Sequence, residues 1–321
     1  MEFKLNKIKI FSDKNLQIYF ALSAIFLPCL ILIRLTIRDS ISFIAPLYYA
    51  TPYILIFFYA FFIAIFALFK RIKVFTSIFL LISIISLIFF YNTEFVTNKK
   101  IKREDSEYRI MFFNLARNGR EKIDDIIKII RDEKIDIAGF VETTNLLYTH
   151  SNRIALDPKK WNDKLPEYNI KMLKNEMMLI TKSKIVSSLN GGCKRLNYNK
   201  INLVLDNKEV TLFIVDIASK PFKSRKIPFE TLKNEIYKEK NVIFMGDFNT
   251  PISSYFFDDM KIKYQNAFLK TGNGYKPTWP LPIPILTLDN IWFDNNWNLI
   301  NCKYYKTDFS DHYAIISTVS K

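Results

Sequence analysis

The pattern of hydrophobic and polar positions changes near residue 92. Before that point the chain consists mainly of long uncharged apolar runs, and after it the apolar residues come in short groups separated by polar ones. Three long runs stand out, at residues 17–33, 41–69 and 74–91. Each is about long enough to cross a hydrocarbon core of roughly 30 Å at 1.5 Å per residue. The pattern therefore predicts three transmembrane helices within residues 1–92, which would contact the bilayer through residues 17–91.

Two other interpretations of these runs are less consistent with the sequence. A buried core helix of a soluble protein needs a polar face toward solvent, and the runs have none. A cleavable signal peptide is disfavoured because three runs follow one another and no small-residue cleavage site closes the first. Residues 1–92 are therefore predicted to be a membrane anchor.

The positive charges around the runs predict an orientation. Lysines precede the first run, at positions 4, 7, 9 and 14, and basic residues at 70, 71 and 73 separate the second from the third. The positive-inside rule then keeps the N-terminus in the cytoplasm. Basic residues at 99, 100, 102 and 103 flank the third run on the other side and weaken this bias. With three crossings, we expect a multi-pass membrane protein whose C-terminal part lies on the non-cytoplasmic side.

Residues 93–107 are polar and charged and are predicted to be a short tether. From residue 108 onward, short apolar segments alternate with two amphipathic helices, around residues 123–130 and 229–236. Strands are predicted at 109–115, 135–142, 177–181, 201–205, 210–215, 242–245, 287–293 and 313–319. Strands mixed with helices predict a layered α/β domain over residues 108–321, with its site at strand ends.

Polar residues follow several of these strands. They are Asn114, Glu142, Asp247, Asn249, Asp289, Asp311 and His312. A hard divalent cation such as Mg²⁺ takes oxygen ligands, and the carboxylates of Glu142, Asp247 and Asp311 can supply them. The imidazole of His312 can stabilise charge on a phosphoryl oxygen, with Asp289 fixing its tautomer. Each element alone also fits an ordinary turn or helix cap, so the prediction depends on their combination.

Five motifs in this order resemble the endonuclease/exonuclease/phosphatase superfamily, whose fold is deoxyribonuclease I-like: FFNLARNG, DIAGFVE, MGDFNTP, TLDNIWF and FSDHYAI. The segment YKPTWPLPIPILTLDNI is also similar to a Thr-Trp-Pro segment in a bacterial subgroup, some of whose members carry N-terminal membrane spans. The resemblance spans about 210 residues. It implies a four-layer α/β sandwich and phosphoester hydrolysis that depends on Mg²⁺, with Mn²⁺ as an alternative.

The resemblance also implies roles for individual residues. Glu142 is expected to bind the metal with help from Asn114 and Asp311. Asp247 and Asn249 are expected to position and activate the attacking water.

The remaining two motif residues, His312 backed by Asp289, are expected to contact the scissile phosphate. The sequence departs from the family at two places. Asp216 stands where members usually have a histidine, and a carboxylate there would repel a phosphate unless it is protonated or metal-bound. Either Lys220 or the serine before it compensates, or activity is reduced. Asn290 replaces a histidine of the subgroup and can donate a hydrogen bond without becoming cationic. These three residues, Asp216, Lys220 and Asn290, are candidates for substrate phosphate contact.

The charge balance adds a partner class. The net charge is +15, and residues 98–321 carry 37 basic and 27 acidic residues. This excess favours a nucleic acid or an anionic phospholipid as substrate, although a Lys-rich, Asn-rich and Ile-rich bias without a partner fits equally. His150 is interpreted as a surface residue, the three cysteines carry no compartment signal, and no protein partner is evident.

Together these features predict a membrane-anchored, Mg²⁺-dependent phosphoester hydrolase of the nuclease, phosphodiesterase or phosphatase type. The alternative is a catalytically impaired, membrane-tethered binding module on the same fold.

Overall fold

The computed structural model describes residues 13–98, 107–117, 122–143 and 159–321. His150, predicted to be a surface residue, lies outside them. The chain forms two compact units, Met1–Thr93 and Glu94–Lys321. Cys29, Cys193 and Cys302 are all free thiols.

The first unit is helical. Its helices are α1 (Asp13–Leu35), α2 (Ala45–Ala50), α3 (Tyr53–Phe69) and α4 (Lys73–Glu94). The prediction of three transmembrane helices is wrong, because only α1 and α4 among the described residues are long and apolar enough to cross a membrane. The middle run is broken at Thr51, which precedes Pro52 and has a non-helical backbone with φ −122° and ψ 56°. A residue before proline is sterically disfavoured in the helical conformation, and the 17 residues of α3 span only about 26 Å.

A buried arginine stabilises this break. Arg34, near the end of α1, donates from Nη1 to the carbonyl oxygens of Tyr48 at 2.6 Å and Thr51 at 3.0 Å. Its guanidinium also lies over the rings of Tyr48 and Tyr53, 4.5 and 4.7 Å from their centroids. The last carbonyls of a helix have no partner within it, so the end of α2 obtains charge-assisted hydrogen bonds from α1.

The second unit is built on two six-stranded sheets. The first has the order β10–β12–β9–β8–β7–β6, formed by Tyr264–Asn266, Asp289–Asp294, Val242–Asp247, Lys208–Ile217, Leu196–Leu205 and Lys184–Cys193. The second has the order β13–β14–β2–β3–β5–β4, formed by Asn298–Tyr305, Ala314–Ser320, Tyr108–Asn114, Ile137–Val141, Met177–Thr181 and Asn169–Leu173.

Helices cover the outer face of each sheet. They are α5 (Ile123–Asp132) and α6 (Lys159–Asn162) on the second sheet, and α7 (Lys226–Ile236) and α8 (Asp258–Lys263) on the first, while the short α9 (Ala267–Thr271) contacts β13. The two sheets pack face to face around a continuous apolar core that includes Phe112, Leu212 and Met245. The layers are therefore helix, sheet, sheet and helix, and the predicted α/β sandwich is confirmed.

Two of the strands that the sequence missed, β6 and β13, lack a clear apolar period. Edge strand β6 alternates irregularly between exposed and half-buried positions. In β13 a bulge between Leu299 and Asn301 shifts the register, which interrupts the alternation expected of a strand. Pattern reading depends on regular alternation, so both strands escaped it.

Residues 94–98 of the predicted tether, 93–107, belong to the folded second unit. Strand β1 (Phe95–Val96) pairs with β11 (Gly274–Tyr275). The backbone N–H of Lys276 donates to the carbonyl of Glu94 at 2.8 Å, and their buried side chains form an ion pair at 3.5 Å. The chain thus enters this unit beside the segment that leads to Thr278 and β12.

Candidate active site

Three aspartates lie side by side at one edge of the first sheet. Asp216 on β8 is the Cα partner of Asp247 at the end of β9, and Asp247 is the partner of Asp289 at the start of β12. Residues in register on neighbouring strands project from the same face of a sheet. We call this end of the sandwich the site edge.

Asp247 is connected to the second sheet through Asn114. The amide Nδ2 of Asn114, the last residue of β2, donates to Asp247 Oδ2 at 2.9 Å, and both side chains are buried. Asn114 Oδ1 accepts from the backbone N–H of Ala116 at 2.8 Å. The hydrogen bond between Asn114 and Asp247 joins the two sheets at the site edge.

A tight turn after β9 places Asn249 against the same carboxylate. Its backbone N–H donates to Asp247 Oδ1 at 2.8 Å and its side-chain Nδ2 to Oδ2 at 3.1 Å. Asn249 has a left-handed φ of 46°, which asparagine tolerates better than most residues. The buried Arg225 donates to the Asn249 carbonyl at 2.9 Å and holds the turn. Burial, the charge of Asp289 and, to a smaller extent, that of Asp216 raise the pKa of Asp247 to about 8.

Glycine precedes Asp247 because the backbones approach closely there. A Cβ at Gly246 would lie 2.2 Å from the Val215 carbonyl oxygen and 2.7 Å from the Val215 Cβ. Any larger residue would separate β9 from β8 and move Asp247 away from Asp216.

His312 and Asp289 form a buried pair. His312 Nδ1 lies 2.8 Å from Asp289 Oδ2, and Ser310 Oγ accepts from the His312 backbone N–H at 3.0 Å while donating to the Asn114 carbonyl at 2.7 Å. Burial lowers the pKa of His312, but the charge and the hydrogen bond of Asp289 have a larger opposite effect. Together they raise the pKa from its ordinary value of 6.5 to about 10. The carboxylate accepts from Nδ1–H, which leaves Nε2 as the group available to a substrate.

Glu142 follows β3 and forms an ion pair that the sequence did not predict. Its Oε2 lies 3.0 Å from Nη1 of Arg117, whose Nε lies 3.1 Å from Glu176 Oε2. All three residues have left-handed φ angles between 55° and 58°. Such backbone strain costs about 1–3 kcal/mol per residue and is concentrated at functional sites. The only sequence signal for Arg117 was its place three residues after Asn114 in the first motif.

Asp311 lies at the rim. Its Oδ2 accepts from Trp279 Nε1 at 2.8 Å, its carbonyl accepts from the Leu281 N–H at 2.8 Å, and its Oδ1 lies 3.8 Å from His312 Nε2. Trp279, in the Thr-Trp-Pro segment, also has its ring centroid 6.3 Å from that of His312. The indole and imidazole therefore line one wall of the site.

The three predicted phosphate contacts have different positions. Asp216 is part of the cluster, and burial and the charge of Glu142 raise its pKa to about 7. No hydrogen-bond or ion-pair partner for its carboxylate is found in the described parts of the chain. Lys220 is exposed in the loop after β8. Asn290 is buried and its Oδ1 accepts from Asn266 at 2.9 Å, so it is not brought to Asp289 and His312.

The donor set fits a hard divalent cation. Carboxylates converge at the site edge from Glu142, Asp216, Asp247, Asp289 and Asp311, and all offer oxygen ligands. Ligand atoms of Asp247, Asp289 and His312 lie within 4.8 Å of one another. We interpret those three mainly as a hydrogen-bonded group, because His312 Nδ1 is already occupied by Asp289. The buried Asp289 Oδ1 has no hydrogen-bond partner among the described residues. The pKa of Asp247 is raised first by burial and then by the negative charge of Asp289, which a cation would offset.

The fold and the site define a class: a two-sheet α/β sandwich with carboxylates, amides and one imidazole gathered where the two sheets meet. The family model described as "Endonuclease/Exonuclease/phosphatase family" matches residues 111–312. The chain belongs to this family, as its five motifs predicted.

Solved structures have the same fold. D. rerio TDP2 complexed with a single-strand DNA product is 12% identical with a TM-score of 0.53, covering 68% of this chain and 100% of that one. The human Nocturnin catalytic domain with bound sulfate anion is 15% identical with a TM-score of 0.52, and the match covers 69% of this chain and 96% of that one. An endonuclease/exonuclease/phosphatase family protein from Leptotrichia buccalis is 16% identical with a TM-score of 0.53, and the match covers 67% of this chain and 100% of that one. No curated protein matches the chain.

Proposed function

We propose that this protein is a membrane-anchored, Mg²⁺-dependent phosphoester hydrolase. The observation that carries the proposal is the hydrogen-bonded group at the site edge, in which Asn114 and Asn249 hold Asp247 while Asp289 holds His312. Membership of the family supports the same reaction class. Mn²⁺ is the alternative metal, since it accepts the same oxygen donors.

Glu142, with Asn114 and Asp311, would hold the cation. When bound, the cation supplies Lewis-acid stabilisation of charge on a phosphoryl oxygen. The Glu142 carboxylate forms an ion pair with Arg117, which fixes its position at the site edge. Asn114 Oδ1 accepts one backbone N–H and keeps a second lone pair for a ligand.

Asp247 and Asn249 would orient the attacking water, and His312 the phosphate. Both Asp247 oxygens are fixed by donors from Asn114 and Asn249, so a water that donates to this carboxylate is held in one direction. His312 presents Nε2–H to a phosphoryl oxygen because Asp289 occupies Nδ1. A protonated imidazole stabilises the charge that develops there.

The second candidate function is a catalytically impaired, membrane-tethered binding module. The observation that favours it is Asp216, a carboxylate in register with Asp247 for which the described residues provide no hydrogen-bond or ion-pair partner. In its ionised form the charge of this carboxylate opposes the approach of a phosphate. The hydrolase is favoured because the other motif residues are hydrogen-bonded as catalysis requires.

The substrate is proposed to be a nucleic acid or an anionic phospholipid. The basic excess of residues 98–321 supports both. A single-strand DNA product is bound in the zebrafish relative, but fold alone does not transfer a substrate.

Anchoring by α1 and α4 is part of the proposal. Two crossings, by α1 and α4, return the second unit to the side of the N-terminus, whereas the three crossings expected from the sequence would have placed it outside the cytoplasm. Fusions of alkaline phosphatase and of a fluorescent protein to the C-terminus distinguish these outcomes, since the first is active only outside and the second fluoresces only inside.

The proposal is tested with the full-length chain in detergent. Hydrolysis of DNA, RNA, inositol phosphates, phospholipids and a chromogenic phosphodiester is measured with Mg²⁺, with Mn²⁺ and with EDTA, for the wild type, Asp247→Ala and His312→Ala. We expect metal-dependent turnover that disappears in both variants. A folded wild-type chain that hydrolyses none of these substrates would instead support the binding module.

A further inference from the structure

Two loops at the site edge expose large apolar side chains. The loop after β8 and the first turn of α7 carry Phe222, 76% exposed, and Ile227, 58% exposed, while the segment before β12 carries Ile283, 76% exposed. Apolar side chains in such positions remain in water unless a partner covers them. We call residues 218–227 and 279–285 the rim loops.

Hydrogen bonds fix both rim loops beside the site. In the first loop, Arg225 donates to the carbonyls of Ala218 and Asn249 at 2.5 and 2.9 Å, so the loop is attached to the turn that follows Asp247. In the second, Leu281 and Trp279 donate to Asp311 at 2.8 Å. The loops that carry the exposed apolar side chains are therefore attached to the segments that hold Asn249 and Asp311 at the candidate active site.

The first rim loop is positively charged and the second is uncharged. Lys220, Lys223 and Lys226 are exposed near Phe222 in sequence, with Lys226 3.9 Å from Glu230 of α7, and neither rim loop contains an aspartate or a glutamate. Lysines interleaved with exposed apolar residues are typical of surfaces that insert between anionic lipid headgroups.

Chain connectivity favours the same partner. The apolar run 74–91 ends four residues before β1, and β1 pairs with β11, which lies four residues before Trp279. Wherever that run spans a bilayer, the segment leading into the second rim loop begins close to the lipid surface.

We propose that the rim loops insert into an anionic bilayer surface, with Phe222, Ile227 and Ile283 among the acyl chains and the lysines at the headgroups. The site opening then faces the phosphates of membrane lipids, so the substrate class is a phospholipid headgroup ester. This inference rests on the membrane-anchored hydrolase proposed above and specifies its substrate.

The experiment uses the full-length chain reconstituted in nanodiscs of phosphatidylcholine with about one fifth phosphatidylglycerol. Tryptophan is introduced by Phe222→Trp, by Ile283→Trp and, as a matched control, by Ile262→Trp. Ile262 is 84% exposed on α8, close to Tyr264, which pairs with Asp294 at the opposite end of β12. Fluorescence is compared between nanodiscs with ordinary and with brominated acyl chains, and the wild-type signal is subtracted.

We expect brominated lipid to remove more than about half of the added fluorescence at positions 222 and 283, since inserted side chains reach the acyl boundary, and to leave position 262 unchanged. The quenching should weaken when phosphatidylglycerol is omitted. Equal quenching at all three positions, or none at 222 and 283, overturns the inference. A fluorescence change on adding a single-stranded oligonucleotide, without lipid quenching, assigns the rim loops to nucleic acid and also overturns it. Quenching requires no turnover, so failure of the hydrolase proposal and failure of this inference are observed separately.

Discussion

Asn114 and Asp247, 133 residues apart in sequence, are joined by a buried hydrogen bond of 2.9 Å that connects the two sheets at the site edge. The bond satisfies a carboxylate oxygen that would otherwise be buried with a single donor, from Asn249. It therefore affects both the stability of the sandwich and the direction of the Asp247 carboxylate.

Replacing Asn114 by alanine is expected to lower the free energy of unfolding of the second unit by about 1–3 kcal/mol, because a buried carboxylate loses a donor. Hydrolysis should be lost as well. All four tryptophans lie after residue 94, so their fluorescence during denaturation reports on this unit alone.

The matched control for that variant is Asn266→Ala. Asn266 is also a buried asparagine with a side-chain hydrogen bond, to Asn290, but it lies away from the motif residues. A similar loss of stability with retained hydrolysis is expected. If Asn114→Ala kept full activity, its proposed role at the metal and at Asp247 would be wrong.

Metal binding should stabilise the second unit through Glu142. At a Mg²⁺ concentration of 100 times Kd, linkage predicts about 2.7 kcal/mol of added stability, which Glu142→Gln should largely remove. Glu176→Gln is the control, because Glu176 also pairs with Arg117 but is not a proposed ligand. Thermal unfolding with Mg²⁺ and with EDTA measures the stability that the metal adds to each variant. An equal gain in Glu142→Gln and Glu176→Gln would contradict the assignment of Glu142 as a ligand.

The metal-free protein should become less stable as the pH rises from about 4 to 8. The folded pKa values of Asp216 and Asp247, about 7 and about 8, lie above the ordinary value of 3.8. A raised folded pKa gives stability that is present below the unfolded pKa and is lost as the pH rises through the folded one. Denaturant unfolding in EDTA across this range provides the measurement.

Asp216→Asn tests the assignment of that pH dependence. The variant should lose less stability between pH 4 and 8 than the wild type and be more stable than it at pH 8 without metal. Asp163→Asn, which changes an exposed aspartate, should behave as the wild type. A wild-type stability independent of pH over this window would show that the two carboxylates are not perturbed.

Asp216→His should increase kcat/KM for a phosphodiester by about tenfold, equivalent to ~1.4 kcal/mol, because a repulsive carboxylate is replaced by a phosphate-binding group. Asp163→His is the matched control for adding a histidine elsewhere. Steady-state kinetics at pH 7 with saturating Mg²⁺ measure the effect. A decrease would instead indicate that the Asp216 carboxylate has a positive role in the reaction.

Local chemistry explains why much of the candidate site was predictable. Glu142, Asp247 and Asp289 each lie at one end of an apolar strand, where a charged side chain is costly to bury without a partner. The change from apolar to charged residues along the sequence therefore identified them. Arg117 was missed because an isolated arginine in a polar turn looks like an ordinary surface residue. Asn290 was predicted to contact the substrate because the resemblance places a histidine of the subgroup there, but it lies next to Asp289 on β12 and adjacent strand residues project from opposite faces.

The separation into an apolar helical part and an α/β part, and the polar residues that end the central strands, could be predicted from the sequence, because these features depend on neighbouring residues along the chain. The docking of β1 on β11 and the contacts Asn114–Asp247, His312–Asp289 and Arg117–Glu142 depend on the tertiary structure. Those contacts join residues that are distant in sequence. Their geometry is set by how the two sheets pack and by which strands are neighbours, and no local pattern encodes either.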